Sequence, residues 1–236
     1  MLFEYGFELI NQSFLTDKVS PEELDNLLSA GWRHFGRKFF RYNLAYFEEN
    51  VELVMPLRIR LSGFKFSKSQ RRNLRRNARL ETIITEPKIT PDIEKLFDRH
   101  KKRFKSSIPD SIFDFLSEKP ESIPCPARQL TVLDKRKILA VSYFDEGSRA
   151  VSGIYAMFDN EFSKLGLGIF TLLREIEYSI KHGKEFYYLG YAYAGKSFYD
   201  YKKRFASTEY YDWKGSWKPF ANTRNDGNKI EGNQGI

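Results

Sequence analysis

The chain has 236 residues, 41% of them apolar, with 21 Phe and 14 Tyr, and carries a net charge of +8. That length suits one large domain or two small ones with a real core. The single cysteine, Cys125, excludes a disulfide scaffold, and three scattered histidines show no zinc or iron–sulfur spacing.

The opening, MLFEYGFELI, is too short and too acidic for a signal peptide, and no run nears the ~20 apolar residues of a membrane span. A reducing cytoplasm is therefore expected, with no membrane partner. Residues 1–15 read as extended. Ser20-Pro21-Glu22-Glu23 is a helix start: a serine cap, proline in the first turn, then acids. Leu24, Leu27 and Leu28 supply its apolar stripe and Gly31 ends it. GWRHFGRKFFRYN reads as a loop leading to a strand, and VELVMPLRIRL (51–61) as a strand with an edge or bulge at Pro56.

The charge is unevenly placed. Residues 58–105 hold 16 Lys/Arg against 5 Asp/Glu, while the remainder is slightly acidic, 23 against 26. Within FKFSKSQRRNLRRNARL (64–80) are seven cations and no acid. Ser67-x-x-Gln70 is a capping box that starts a helix. At 3.6 residues per turn Lys68, Arg71, Arg72, Arg75, Arg76 and Arg79 share one face, with Leu74 and Ala78 turned toward the core. A solvated helix usually interleaves acids that pair at i,i+4. A stripe of unrelieved repulsion is instead expected to contact a polyanion such as RNA.

A second basic helix is expected over 90–106, then a proline-punctuated stretch with a short helix at 111–118. TVLD, a KRK turn and ILAVSYFD form a hairpin, and RAVSGIYAMFDN a further strand. Ile169, Phe170, Leu172, Leu173, Ile176 and Ile180 mark an amphipathic helix ending at Gly183. FYYLGY follows as a strand and 197–205 as a short helix. The end, from Asn222, has little to bury. Alternation places Tyr187, Leu189 and Tyr191 on one face of their strand and Tyr188 and Gly190 on the other. This predicts tyrosines bordering a pocket, with Gly190 admitting a substrate to the backbone.

Three strands, a glycine turn, a helix and a further strand over 129–191 resemble the core of the GNAT acyltransferases. The expected fold is α+β, a mixed and largely antiparallel sheet flanked by helices, with a small N-terminal subdomain. Expected units are 1–60, a basic helical segment 61–126, a catalytic core 127–218 and a disordered tail 219–236. In GNAT enzymes the loop at Ser163–Gly168 grips coenzyme A and begins with Gln or Arg. Serine at that place tells against coenzyme A.

Taken in order, GWRHFG, FRYN, PLRIRL, FKFSKSQRRNLRRN, VSGIYAMFD, KLGLGIFTLLREIEY and YYLGYAYAGKSFYDYKKRF resemble the aminoacyl-tRNA–protein transferases, the arginyl- and leucyl-transferases of the N-degron pathway. The resemblance spans roughly residues 28–206. It implies transfer of Arg or Leu from aminoacyl-tRNA to a protein N-terminal amine, with N-terminal Asp or Glu as acceptor. Aminoacyl-tRNA is then the co-substrate and no other cofactor is needed.

Tyr188, Tyr191, Lys202 and Ser152 are the expected catalytic residues. Gly166, Gly168 and Gly190 would form the ester or oxyanion loop, and the Lys68–Arg79 face would hold tRNA. Glu175, Glu177 and Asp200 are candidate bases. The family's N-terminal C-x-x-C is absent: Tyr42–Phe47 stands at its place, so no metal is expected. The family's Arg-His pair becomes Arg103-Phe104. An acyl-CoA transferase and a non-catalytic tRNA-binding relative are the alternative readings.

Overall fold

The computed structural model describes residues 8–47, 49–104 and 108–220. The expected tail falls outside these from residue 221 on, as do residues 1–7 of the extended start. The chain opens with β1 (Asn11–Leu15), α1 (Pro21–Ser29), β2 (Arg33–Phe35), β3 (Lys38–Tyr42), β4 (Leu44–Phe47) and β5 (Asn50–Arg60). It continues through α2 (Lys68–Arg76), β6 (Glu81–Thr85), α3 (Pro91–Lys101), β7 (Ala127–Asp134), β8 (Lys137–Glu146) and β9 (Ala150–Phe158). It closes with α4 (Leu167–Lys181), β10 (Phe186–Tyr193), β11 (Thr208–Tyr211) and β12 (Trp217–Pro219). The short helices expected at 111–118 and 197–205 are 3₁₀ turns, at Ile112–Asp114 and Phe198–Arg204.

The capping box expected at α2 forms, and the serine cap of α1 is a capping box as well. Ser20 and Glu23 close the start of α1, and Ser67 and Gln70 that of α2. The segment expected as a loop after α1 is a tight hairpin, β2–β3, which with β1 makes a three-stranded sheet.

The large sheet is mixed, in the order β12-β11-β5-β10-β9-β8-β7-β6, with β4 also on β5. Strand β5 comes from residues before 61, so the N-terminal part of the chain and the part after 127 share one sheet. Pro56 falls between the stretch of β5 paired to β4 and that paired to β11, where the strand has no ladder partner on that side for a missing N–H to disrupt.

Among the described residues every strand pair is antiparallel but one: β9 and β10 run parallel, linked by α4. Helix α4 lays Leu167, Phe170, Leu173 and Ile176 on one face of the sheet, against Leu130, Val132, Phe144 and Val151. Helix α3 covers the other face through Ile93, Leu96 and Phe97, against Val141, Tyr143 and Met157. Helix α1 packs Leu24 and Leu28 with Phe39, Ala150 and Tyr188.

Leu173 is fully buried at the centre of the α4 contact. Leu173→Ala is expected to cost about 3 kcal/mol of stability, read by urea denaturation. A loss below about 1 kcal/mol would mean that α4 does not seat the sheet.

Candidate functional site: a parting of two parallel strands

Strands β9 and β10 pair at Phe186–Ala150, Tyr187–Val151 and Tyr188–Ser152, and the ladder ends there. Beyond it β9 follows β8 and β10 follows β5. Each strand carries an irregularity at this point. On β9 one extra residue, Ile154, sits between the positions opposite Phe144 and Tyr143. On β10, Leu189 is extra between the positions opposite Arg58 and Leu57. Bulges bend a strand and strengthen its twist, so two of them on facing strands open the sheet.

The guanidinium of Arg33 bridges the opening. Its Nη2 donates to the carbonyl of Gly153 on β9, 2.8 Å away. On the β10 side it lies on Gly190, where a Cβ would fall 1.3 Å from Nη1. Gly190 also has φ +80°, so glycine is required there twice over. The close approach expected at Gly190 is therefore made by the protein's own arginine.

Behind Gly153 stands a buried acid pair. The Tyr187 hydroxyl donates to Oε2 of Glu175 on α4. A Cβ on Gly153 would sit 2.7 Å from that hydroxyl and 3.6 Å from Oε2. Burial pushes the Glu175 carboxyl up to about 7, against the hydrogen bond of Tyr187 that favours its charged form. Lys202 is also buried, its Nζ donating to the Tyr191 carbonyl at 2.8 Å. Burial first, and then Arg33, hold its ammonium well below the usual lysine range.

The tyrosines divide differently from the expected alternation. The extra residue at Leu189 flips β10. Tyr187 and Leu189 face α4, but Tyr191 turns to the N-terminal sheet and donates to the carbonyls of Gly31 and Phe40. Tyr188 lies among α1 residues, its hydroxyl accepting from Arg58. Arg58 is itself bound to Glu209 and stacked between Phe186 and Trp217. Ser152 is buried at the last paired rung. The gap thus gathers Arg33, Glu175, Tyr187 and Lys202, while the hydroxyls of Tyr188 and Tyr191 are engaged by Arg58 and by backbone carbonyls.

Helix α2 docks beside the start of α4. It turns Gln70, Asn73, Leu74 and Asn77 inward, whereas Ala78, expected inside, is exposed. The Asn73 amide donates to the carbonyls of Leu165 and Gly166, and that of Asn77 to Leu165. Gly166 has φ +66°, and a Cβ there would meet the Asn73 amide at 2.8 Å. Gly168 instead packs on Phe158. The two glycines therefore seat helices, and the start of α4 has no side-chain cap.

All six predicted cations are exposed, and none forms an ion pair among the described residues. Arg79 lies past the end of α2 at Arg76 and is not on its helical stripe. Arg71 and Arg76 bind backbone carbonyls, of Phe66 and Lys164.

The family model for the C-terminus of arginine-tRNA-protein transferases matches residues 94–212, half of the chain. The chain belongs to this transferase family. Curated relatives include the aspartate/glutamate leucyltransferase of Campylobacter jejuni strain RM1221, 27% identical over 80% of this chain and 85% of that one. The enzyme of the same name from Helicobacter hepaticus is 23% identical over 75% and 74%. Among solved structures, a C-terminal domain assigned to a lysylphosphatidylglycerol synthetase of Agrobacterium fabrum superposes with a TM-score of 0.50 at 16% identity, covering 78% of this chain and 55% of that one. The last is a likeness of fold. The cysteine-ligated centre expected for the transferase family lacks its ligands here, since the chain has one cysteine.

The raised Glu175 pKa has a sign. Between the ordinary value of 4.5 and about 7 the folded chain holds a proton that the unfolded chain releases, so stability falls as pH rises through that window. Over the whole window the loss is about 3 kcal/mol. Glu175→Gln is expected to remove it, read by urea denaturation at pH 5 and pH 8. An unchanged difference between the two pH values would show Glu175 to be ionised in the fold.

Proposed function

We propose that this chain transfers an amino acid, leucine on the names its relatives carry, from its tRNA to the N-terminal α-amine of proteins beginning with Asp or Glu. The observation that carries the reading is the arginine-bridged opening between β9 and β10, beside a helix face of unpaired cations. A GNAT-type fold fits this reading, because such an opening between two parallel strands suits an acyl group lying along the sheet.

The donor needs no further activation, as its ester is already reactive. Lys68, Arg71, Arg72, Arg75 and Arg76 track the tRNA backbone, and Arg79 extends the patch past the helix. The uncapped start of α4 receives a phosphate near the 3′ end. The terminal ester then reaches the opening. The incoming amine must lose a proton, attack the carbonyl carbon and expel the ribose hydroxyl.

Glu175, with a pKa near neutrality, accepts that proton through the Tyr187 hydroxyl, which stands at Gly153 where the strands separate. Arg33 offers its remaining N–H groups to the acceptor's acidic side chain, a fork that suits a carboxylate. Lys202, expected to meet the tRNA end or that carboxylate, is held by the Tyr191 carbonyl and keeps β10 in place. The reaction takes place in the cytoplasm, where charged tRNA is abundant, and calls for no cofactor beyond the charged tRNA.

Transfer of labelled leucine from charged tRNA to Asp- and Glu-initiated peptides tests the assignment. No transfer from any charged tRNA would reject it, and tight tRNA binding without turnover would leave a binding protein. Coenzyme A at the α4 start is the other acyl-donor reading. Saturable binding of it would favour that reading, though one pyrophosphate does not require six cations.

Arg33→Met is expected to lower kcat/KM for acidic acceptors about 10- to 100-fold, the worth of a hydrogen bond to a charged group, with tRNA affinity unchanged. The double substitution Arg72→Ala, Arg75→Ala is expected to weaken tRNA binding and to reduce the slope of log K against log salt by about 2. An unaltered slope would show that these side chains do not meet phosphates.

A further inference from the structure

Among the described residues one group of metal-ligating side chains lies together, and it shares no residue with the catalytic gap: His34, Cys125 and Asp145, all buried. Sequence spacing hides it, because the three lie 20 to 111 residues apart. His34 sits on β2, Asp145 on β8, and Cys125 on the segment entering β7. His34 Nε2 is 2.9 Å from Asp145 Oδ2, Cys125 Sγ is 3.8 Å from Nε2, and Sγ is 3.5 Å from Oδ1.

The arrangement is not that of a nucleophile and its base. In a catalytic triad the acid and the nucleophile address opposite ring nitrogens. Here both crowd Nε2, and Nδ1 is taken by the Gly36 carbonyl at 2.9 Å. A carbonyl on the far nitrogen is instead what orients a histidine that ligates metal through Nε2. A tetrahedral zinc ion with ordinary N, O and S bond lengths separates its ligand atoms by about 3.4 to 3.6 Å. The observed contacts run from 2.9 to 3.8 Å and use both oxygens of Asp145, so an ion would enter in place of the direct Nε2–Oδ2 hydrogen bond, with the ligand atoms of all three residues within 4.8 Å of one another. A cavity of about 10 Å³, lined by these three residues with Phe115, Leu116 and Ser117, adjoins them and is the size of one water.

We propose that His34, Cys125 and Asp145 form a buried zinc site, with a water from this cavity as fourth ligand. Zinc takes the place of two protons, one from His34 Nε2 and one from the Cys125 thiol, and both pass to solvent. The metal-free cluster is imidazolium, carboxylate and thiol, and the loaded one is zinc, imidazole, carboxylate and thiolate. Each sums to zero charge, so the exchange adds no net charge to the interior. The ion ties β2 to β8 and so fixes the residue next to His34, the Arg33 that bridges the gap.

The test uses the full chain stripped with a chelator. Zinc is titrated in competition with a chromophoric chelator, and cobalt(II) is added as a spectroscopic stand-in. One equivalent of tight zinc, release of about two protons, and a thiolate-to-cobalt charge-transfer band with tetrahedral visible bands are expected. Cys125 is the sole cysteine, so that band has one source, and it must vanish when urea unfolds the chain. Cys125→Ser, with its fold checked by circular dichroism, is expected to bind zinc at least about 10-fold more weakly. No stoichiometric zinc, an octahedral cobalt spectrum without the band, or a folded serine variant of equal affinity would each overturn the site. If the variant does not fold, the wild-type cobalt spectrum decides. None of these readouts depends on aminoacyl transfer.

Discussion

The parting of β9 from β10 is the constraint on which the rest of the architecture depends. Two parallel strands joined by a helix would ordinarily stay paired along their shared length. Here each carries one extra residue at the same level, and β5 and β8 lead them apart. Exposed ladder groups inside a protein are costly unless something answers them. Arg33 answers one, the Gly153 carbonyl, and stands on the glycine opposite. A cation is thereby placed where the two strands part, held by the Gly153 carbonyl and lying on Gly190.

The surrounding electrostatics divide into satisfied and unsatisfied groups. Buried Arg58 is matched by Glu209 and three aromatic rings, buried Lys202 has the Tyr191 carbonyl, and at the surface the pair Arg149–Glu185 is bidentate. On α2 the cations have no carboxylate partners among the described residues. The inward side of that helix is joined to the loop before α4 by neutral amides, Asn73 and Asn77. Holding the helix by uncharged groups leaves its positive face wholly to solvent, close to the start of α4.

Local chemistry was legible in the sequence where the signal is short-ranged. The capping box of α2, the serine cap and proline of α1, the α4 stripe and the hairpin of β7 and β8 follow from spacing alone. The cationic face of α2 was legible too, because a charge stripe keeps the period of the helix that carries it. What failed did so where a tertiary contact overrides a period. A single bulged residue, Leu189, reversed the expected facing of Tyr191. Asn77 ends α2 early and strands Arg79 beyond it. Glu175 was one of three candidate bases that spacing could not rank, since only the tertiary fold shows that it turns inward to Tyr187. Arg33 stood inside a quoted motif, but its partners are 120 and more residues away, where no local pattern reaches.

The order in which these pieces come together has a kinetic meaning. The β7–β8 and β8–β9 hairpins and the β9–α4–β10 unit are built from neighbours in the chain and can form early. Strand β5 and Arg33 are synthesised long before β10 exists, yet they must wait for it, because both meet the chain again only after residue 150. Loop closure over such distances makes this the slow, late step of folding. An emerging polypeptide therefore carries its arginine wedge without a partner until β9 and β10 follow it from the ribosome.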